Sequence, residues 1–311
     1  MGILKLKGAC KDYIWGGTRL ITEYNKTFSG ERLAETWELS CHPDGLSEII
    51  DGPCAGETLK TYIETEGKQI LGSSCRDFSE FPILVKLIDA KRDLSIQVHP
   101  DDAYALAHEG QYGKTEMWYV LDAGPEASLY HGFKKSISRR EFRRHIDDGT
   151  LPEVLNAVPV KKGDVFFIPA GTVHAVGKDI LLAEIQQSSN VTYRVFDYNR
   201  PGPDGKLRPL HIEQAVECAC CEPPAEPYDF GGHLARCGYF TVDVMDSSQE
   251  SVCGEESFVH ILVIEGTGKI ICNTCETDLR KGDSLFLPAG SGKFSFAGDV
   301  KALITRAGAI Q

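Results

Sequence analysis

The sequence has no long hydrophobic run. The stretch 81–88 is interrupted by Lys86, and the stretch 261–264 has only four residues, whereas a membrane-spanning helix needs about 20 consecutive apolar residues. Residues 1–7 also lack the extended apolar region and the cleavage site of a secretory signal. We therefore expect no membrane as a partner, and we predict that the protein is cytoplasmic.

Positive charge is scarce relative to negative charge. The chain has 33 Lys and Arg residues against 45 Asp and Glu residues, which gives a net charge of −12 and a pI of about 5.3. Nucleic acids and anionic membranes attract basic surfaces, so this balance argues against both as partners. If the substrate is an anion, a local group of Lys and Arg side chains must overcome the repulsive field of the whole protein.

The cysteines do not follow the pattern of a disulfide framework. Their number, 11, is odd, and without a secretory signal we expect reduced thiols. Two groups look like half of a metal site: Cys218, Cys220 and Cys221, and Cys272 with Cys275. A structural zinc site needs two well-spaced pairs of ligands, and these groups lie about fifty residues apart. We therefore interpret them as thiols without a metal-binding role.

The segment from Ser95 to His99 has the period of a β-strand. Ile96 and Val98 alternate with Ser95, Gln97 and His99, so one face carries aliphatic side chains and the other a hydroxyl, an amide and an imidazole. Such a strand can form the wall of a pocket while its aliphatic face packs in the core. The alternative is a surface strand whose polar face is simply hydrated.

Most of the remaining sequence predicts short strands with a few short helices between them. The predicted helices are 58–65, 101–109, 138–145 and 211–218. The predicted strands before residue 200 include 81–89, 113–121, 181–185 and 192–196. After a proline-rich linker at 222–227, the predicted strands are 239–245, 257–264, 268–272, 284–287, 293–296 and 302–306. Short strands at even spacing indicate a β-sandwich or a β-barrel.

One motif occurs twice. The segment 162–171 reads Lys-Gly-Asp-Val-Phe-Phe-Ile-Pro-Ala-Gly and the segment 281–290 reads Lys-Gly-Asp-Ser-Leu-Phe-Leu-Pro-Ala-Gly, with seven of ten positions identical at an offset of 119 residues. The repeat predicts two related β-domains. The first copy continues to His174, whereas the second has Lys293 at that place. We therefore expect a metal-binding histidine in the first copy alone.

Four residues before the linker form a candidate ligand set for a metal ion: Gln97, His99, Glu116 and His174. Two imidazoles, one carboxylate and one amide oxygen suit Zn²⁺ with a position left open for water or substrate. Three of these residues lie on separate predicted strands, which a β-barrel can close around one cavity. On its predicted strand, Glu116 shares a face with Lys114 and Trp118. The alternative is that the two histidines are unrelated buried residues.

These motifs resemble those of a known superfamily, the cupins. The segment 163–174 is similar to the second cupin motif, and the segment 97–116 is similar to the first, with Gln97 in place of its first His. The chain also resembles type I mannose-6-phosphate isomerases, in their short bacterial form, over residues 12–200. The segments that carry this resemblance occur in the order of the family: 12–16, 35–37, 81–86, 94–101, 114–116 and 187–194.

The resemblance implies a fold, a domain division and a metal site. The implied fold is mainly β, with two cupin-type (jelly-roll) β-barrels and a few short helices. The implied domains are a catalytic cupin domain with short helical insertions at 1–235 and a cupin-like β-domain without metal at 236–311. One Zn²⁺ per chain would be held by Gln97, His99, Glu116 and His174.

The resemblance also implies a substrate pocket. Its residues are Trp15, Lys86, Ser95, Lys114, Glu184 and Arg194. Longer members of the family carry a pocket tyrosine two residues after the last His ligand, and this sequence has Val176 there. We therefore expect the fit of the substrate to differ in detail from that in the longer members.

The implied activity is the interconversion of mannose 6-phosphate and fructose 6-phosphate through an enediol or enediolate. A Lewis acid beside the sugar oxygens stabilises the developing negative charge. Glu184 and Lys114 are both candidate bases. Arg194 is a candidate clamp for negative charge, while Ser95, Lys86 and Arg200 are candidates for binding the phosphate. Two alternatives remain: an isomerase or epimerase for another sugar, and a non-catalytic protein that binds a sugar phosphate.

Overall fold

The protein is built mainly from β-strands, as predicted. The structure, a computed structural model, describes residues 2–202, 205–225, 227–273 and 275–308. Residue 226 of the predicted linker, and residues 1 and 309–311 at the ends of the predicted domains, lie outside the described residues.

Strands and short helices alternate along the described chain. In sequence order, the strands are β1 (Leu4–Lys7), β2 (Ala9–Lys11), β3 (Glu35–Leu39), β4 (Glu48–Ile49), β5 (Ile83–Ala90), β6 (Ile96–Val98), β7 (Glu116–Ala123), β8 (Ser128–Phe133), β9 (Leu155–Pro159), β10 (Val165–Ile168), β11 (His174–Ala175), β12 (Ile180–Gln187), β13 (Tyr193–Phe196), β14 (Ala235–Arg236), β15 (Phe240–Asp246), β16 (Glu250–Cys253), β17 (Val259–Cys272), β18 (Cys275–Arg280), β19 (Ser284–Leu287) and β20 (Gly292–Ala307). The α-helices are α1 (Arg19–Thr22), α2 (Leu59–Glu66), α3 (Asp102–His108), α4 (Arg139–Asp147), α5 (Leu151–Val154) and α6 (Ile212–Cys218), and short 3-10 helices lie at Lys68–Leu71 and Ser73–Cys75.

The described chain packs as two compact units. The first comprises described residues of 2–11, 18–87 and 229–308, and the second those of 12–17 and 88–228. The last crossing between the units directly follows the predicted linker. The units differ from the expected split at 235/236 because the N-terminal strands belong to the first unit, where β1 pairs with both β19 and β4. Pairing between such distant segments depends on the sheet edge that is available, which local sequence does not reveal.

The first unit contains a large antiparallel sheet. Among the described residues its strand order is β14-β15-β20-β17-β19-β1-β4, with β16 paired to β20 and β18 paired to β17. This order describes an open sheet and not a closed barrel. Its core is apolar and almost fully buried, as Val259, Ile261, Leu285, Phe294 and Ile304 show. In the same unit, β2 pairs with β3.

Two strands of this sheet are longer than predicted. β17 and β20 are each one continuous strand where the sequence predicted two separate short strands. A Cβ atom on Gly268 would lie 2.0 Å from the Ala297 carbonyl oxygen, so glycine at this position allows two strands to approach closely. The β17–β20 ladder also contains a register shift between Val263 and Glu265. The predicted ends at 264 and 296 are therefore wrong.

The second unit places two groups of antiparallel strands face to face. In one group β7 lies between β10 and β12. The other is a five-stranded sheet in the order β13-β6-β11-β8-β9 among the described residues. His174 on β11 approaches Glu116 on β7 to 3.2 Å, so the inner faces of the two groups meet at the predicted ligands.

Short helices cover the outer face of the five-stranded sheet. Ile96 and Val98 on β6 pack in one buried cluster with Phe142 of α4 and Ala215 of α6. The predicted alternation is thereby confirmed, because the aliphatic face of the segment 95–99 lies in a core and its polar face points the other way.

Three of the α-helices in the described chain begin where the sequence places a capping residue. Thr58, Asp101 and Ser138 each accept a hydrogen bond from a backbone N–H in the first turn of α2, α3 and α4, respectively. At α4 a capping box with Glu141 adds a second hydrogen bond. No helix in the described part of the chain combines the length and the apolar character that crossing a membrane requires.

Candidate metal centre and active site

A row of polar side chains crosses the five-stranded sheet of the second unit. Arg194 on β13 lies directly opposite Gln97 on β6. Gln97 lies opposite His174 on β11, which in turn lies opposite His131 on β8. Direct partners in an antiparallel sheet have their side chains on the same face. The four side chains therefore form one row on the face that is not covered by the helices.

The facing strands contribute two carboxylates. Glu116 begins β7, and Glu184 on β12 lies directly opposite Trp118, two residues further along β7. Glu116 is fully buried and Glu184 is 4% exposed. Buried carboxylates require a cationic group, hydrogen bonds or a metal ion nearby. The neighbouring side chains must therefore provide positive charge, hydrogen bonds or further metal ligands.

His99, Glu116 and His174 converge on one point. The Nε2 atom of His174 is 3.2 Å from Glu116 Oε1, and that of His99 is 3.7 Å from Glu116 Oε2. The two imidazole rings are 4.8 Å apart between centroids. Among the described residues, these three form the only group of His, Cys, Asp or Glu side chains whose ligand atoms lie close enough together to hold one ion.

The tautomers of both histidines fit a metal ion. The Nδ1 atom of His99 lies 2.9 Å from the carbonyl oxygen of Val191, and that of His174 lies 2.9 Å from the carbonyl oxygen of Thr172. Because a carbonyl oxygen can only accept, Nδ1 donates in both rings and Nε2 keeps the lone pair that a metal needs. Burial, aided by the ammonium of Lys114, lowers the pKa of His174 to about 3, so this ring is neutral at pH 7.

Gln97 lies beside this group, as predicted. Its Nε2 atom is 3.4 Å from Nε2 of His174, and a half-turn of the carboxamide would present its oxygen instead. The structure thus brings all four predicted ligands together. Two imidazoles, one carboxylate and one amide oxygen fit a divalent metal ion.

Lys114 lies between the two carboxylates. Its Nζ atom is 2.7 Å from Glu116 Oε2, 3.6 Å from Glu184 Oε1 and 3.2 Å from His99 Nε2. The other oxygen of Glu184, Oε2, accepts a hydrogen bond from Trp118 Nε1 at 3.1 Å. The two candidate bases therefore contact each other beside the group formed by His99, Glu116 and His174.

A cluster of arginines lies along the same row. Arg194 Nε donates to Ser95 Oγ at 3.2 Å. Asp197 accepts hydrogen bonds from Arg208 Nε at 2.7 Å and from an Arg200 terminal nitrogen at 2.8 Å. Two guanidinium groups thus share one carboxylate, and the charges of Asp197, Arg200 and Arg208 are close enough to act on Arg194. We call Ser95, Arg194, Asp197, Arg200 and Arg208 the arginine cluster.

The pKa shifts reflect the excess of positive charge in the arginine cluster. Burial, together with the neighbouring guanidinium groups of Arg208 and Arg200, lowers the pKa of Arg194. Burial alone would raise the pKa of Asp197, but the hydrogen bonds from Arg208 and Arg200 outweigh it and lower that pKa. Such a cluster can bind a phosphate, and it supplies the local positive charge that an anionic substrate needs in a protein of net charge −12.

Trp15 and Lys86 are buried, at 4% and 5% exposed. Trp15 belongs to the second unit, where its ring centroid lies 5.6 Å from that of Tyr13. Lys86 belongs to the first unit, where its Nζ atom lies 3.9 Å from Glu35 Oε2 and 5.2 Å from the ring centroid of Trp37. The roles of Trp15 and Lys86 in binding substrate stay predictions.

Sequence reasoning missed two residues of this region, His131 and Arg208. His131 is 1% exposed, and the strand that carries it has a register shift beside Gly132, whose φ is +66°. A glycine inside a strand often marks such a bulge, but the strand that carries His131 was itself not predicted from the sequence. Arg208 follows a loop, and its sequence context gives no sign that it contacts Asp197.

The cysteines are free thiols in the structure. Burial raises the pKa of Cys218 to about 12 and also raises the pKa values of Cys221 and Cys272. Since the thiolate is the form that binds a metal, burial disfavours metal binding by these three residues.

Comparison with known proteins identifies the family. Residues 3–125 match the family described as phosphomannose isomerase type I, catalytic domain, and residues 232–306 match the mannose-6-phosphate isomerase cupin domain. A mannose-6-phosphate isomerase of Bacillus subtilis is 37% identical over 97% of this chain and 98% of its own length. One of Streptococcus mutans is 39% identical over 93% of each chain.

A solved structure agrees with these sequence matches. The crystal structure of the mannose 6-phosphate isomerase from Bacillus subtilis has a TM-score of 0.90 to this chain at 34% identity, and the match covers 98% of this chain and 99% of that one. The cupin-type fold that the motifs predicted is thereby confirmed. Similarity over nearly the whole length, with the predicted ligand motifs meeting at one point, shows that the chain belongs to the type I mannose-6-phosphate isomerase family.

Proposed function

We propose that the protein is an isomerase that interconverts mannose 6-phosphate and fructose 6-phosphate. The observation that carries this proposal is the buried contact between the Lys114–Glu184 pair and the group formed by His99, Glu116 and His174. This places groups that can move a proton beside groups that can hold a Lewis acid. The names of the full-length relatives support the same substrate.

Zn²⁺ is the metal that the donor set suits best. Gln97, His99, Glu116 and His174 would hold it, because two neutral imidazoles, one carboxylate and one amide oxygen match its preferences. When bound, the metal would supply Lewis acidity that stabilises negative charge on the neighbouring sugar oxygens. The two backbone carbonyls that hold the histidine rings orient them for this role.

Glu184 is the better candidate for the base. Its Oε2 atom is held by Trp118, which leaves Oε1 to take the proton as the C2–H bond of mannose 6-phosphate breaks. An enediol forms, Glu184 returns the proton to C1 to form the new C–H bond, and a hydroxyl proton passes from O2 to O1. Lys114 contacts both carboxylates, so it serves as the positive charge beside the developing enediolate.

The arginine cluster is the candidate site for the phosphate. Arg194 and Ser95 lie at one end of the row that contains Gln97 and His174, so an extended sugar phosphate could reach both sites. Arg200 and Arg208 share the carboxylate of Asp197, which fixes their side chains in place. Guanidinium groups that are held in this way bind phosphate with defined geometry.

A coupled isomerase assay on purified protein tests the proposal. We expect turnover of mannose 6-phosphate, a much slower reaction with unphosphorylated mannose, loss of activity after treatment with a chelator, and recovery on addition of Zn²⁺. Equal activity on mannose would favour an isomerase for another sugar. Binding of mannose 6-phosphate without turnover in the metal-loaded protein would favour a non-catalytic sugar-phosphate-binding protein. Either result would overturn the proposal.

A further inference from the structure

Trp118 lies beside Glu184 and His174 and contacts both side chains. It is 1% exposed and follows Glu116 by two residues on β7, so both side chains point to the same face of the sheet. It is also the direct cross-strand partner of Glu184 on β12. Its position is therefore set by two paired strands and not by a loop.

Two contacts connect Trp118 with the site. Its Nε1 donates to Glu184 Oε2 at 3.1 Å. Its ring packs edge to face against His174, with 5.3 Å between centroids and 78° between ring planes. One side chain thus touches both the candidate base and a candidate metal ligand.

The chemistry of an indole suits this position. An indole N–H has a single donor and no acceptor, so it can fix one carboxylate oxygen without competing for the proton that the other oxygen carries. With Oε2 of Glu184 held in this way, Oε1 is directed to the side of Lys114, 3.6 Å away. A carboxylate without this contact could rotate and present either oxygen.

The second copy of the motif lacks both partners of this contact. The position equivalent to Trp118 is Ile261, and its direct partner on β20, equivalent to Glu184, is Ile304. Where the carboxylate is absent, the indole is absent as well.

We infer that Trp118 is a positioning residue that orients Glu184 for proton transfer through its indole N–H, while its ring supports His174. This inference rests on the proposed isomerase function. Trp118 would act through Glu184 and would not touch the reacting carbons. Its effect should therefore appear in kcat, with little change in KM.

The variant Trp118→Phe tests the inference, since it keeps a ring against His174 and removes the N–H. We expect kcat to fall about 10- to 100-fold, with KM within about twofold and the metal content unchanged. Tyr119→Phe is the matched control, because it removes one polar group from the next aromatic residue, on the opposite face of β7. A kcat for Trp118→Phe as high as that of Tyr119→Phe would overturn the inference.

A double-mutant cycle separates positioning from general support of the fold. In a Glu184→Gln background, Trp118→Phe should cause little further loss of kcat, because both changes act on the same proton transfer. If the double variant instead loses kcat by the product of the two single-variant factors, Trp118 acts independently of Glu184. That result would overturn the inference.

A second pair of variants tests the same inference in case Trp118→Phe does not fold. Trp118→Gln and Trp118→Met are similar in size, and Gln alone carries an N–H donor. We expect the Gln variant to have the higher kcat, and equal values would overturn the inference. An inactive wild-type protein in the same assay would instead overturn the proposed function.

Discussion

The two copies of the repeated motif pair with their neighbours in the same register. In the first copy, Ile168 on β10 lies opposite Glu116 on β7. In the second, Leu287 on β19 lies opposite Val259 on β17, and Leu287 is the repeat equivalent of Ile168. Val259 therefore occupies the position of Glu116. The backbone ladder is equivalent in both copies, and the side chains differ.

The differences remove the site from the second copy. Val259, Ile261 and Ile304 stand where the first copy has Glu116, Trp118 and Glu184, and each of the three is fully buried in an apolar core. Lys293, the counterpart of His174, is exposed. The same ladder thus carries either buried charged groups or an apolar core, depending on a few inward-facing residues.

The largest expected effect comes from removing a ligand from the first copy. His174→Ala should lower kcat by more than about 1,000-fold, because one imidazole and the Lewis acid that it holds are lost. The equivalent change in the second copy, Lys293→Ala, should leave kcat within about twofold, because the side chain is exposed. The coupled assay measures both. Similar losses in the two variants would contradict the assignment of the site to the first copy.

The next largest expected effect is a loss of stability caused by a substitution in the second copy. Ile304 is fully buried, so Ile304→Ala should lower the free energy of unfolding by about 2–5 kcal/mol through lost burial and a cavity. Ile271 is 41% exposed in the same unit, and Ile271→Ala should cost about 0.5 kcal/mol or less. Urea titrations at pH 7 compare the two variants. Equal decreases in the free energy of unfolding for Ile304→Ala and Ile271→Ala would show that the buried aliphatic positions of the second copy do not stabilise its fold.

Arg194→Ala should have a smaller effect, on activity alone. We expect kcat/KM for mannose 6-phosphate to fall at least about tenfold, or about 1.4 kcal/mol, with folding and metal content unchanged. A loss confined to KM would assign Arg194 to the phosphate, and a loss in kcat would assign it to the transition state. Arg236→Ala, at an exposed position of the first unit, is the control. Normal kinetics in Arg194→Ala, or loss of its fold, would exclude a role in the site.

The smallest effect concerns pH and a buried histidine of the first unit. The Nε2 atom of His260 lies 2.9 Å from Ser284 Oγ. Because this hydroxyl donates to the Glu38 carbonyl, its oxygen accepts a hydrogen bond from His260 Nε2. Burial, with a smaller effect of Lys26, lowers the pKa of His260 to about 3. Between about pH 6.5 and 3, the unfolded chain therefore binds a proton that the folded chain does not, and stability falls as pH falls.

Replacing His260 should reduce this dependence on pH. For His260→Gln, the slope of unfolding free energy against pH between pH 6 and 4 should decrease by up to about 1.4 kcal/mol per pH unit. Urea titrations at several pH values measure the slope. An unchanged slope would show that His260 is already protonated in the folded protein.

Much of the site could be predicted because its signals are local. The alternation in 95–99 revealed which face of β6 is polar, and the turn motif that leads to His174 revealed where an imidazole would enter the sheet. Glu116 could be placed with Lys114 and Trp118 by parity alone. These inferences depend on the strand period and on turn chemistry, which neighbouring residues determine.

The remaining features depend on contacts between distant segments. Nothing near β1 in the sequence indicates that this strand pairs with β19. The single strand β17 was predicted as two strands, 257–264 and 268–272, because the sequence does not show that another strand lies close to Gly268. His131 and Arg208 were missed because their partners, His174 and Asp197, are distant in sequence or lie across a loop.

One copy of the repeat, and not the other, should hold a metal. The most direct test is the metal content of folded, dialysed protein by elemental analysis, for the wild type and for His99→Ala. We expect about one Zn²⁺ per chain in the wild type and almost none in His99→Ala, with circular dichroism unchanged. Two equivalents per chain, none in folded wild type, or one retained by His99→Ala would contradict this assignment.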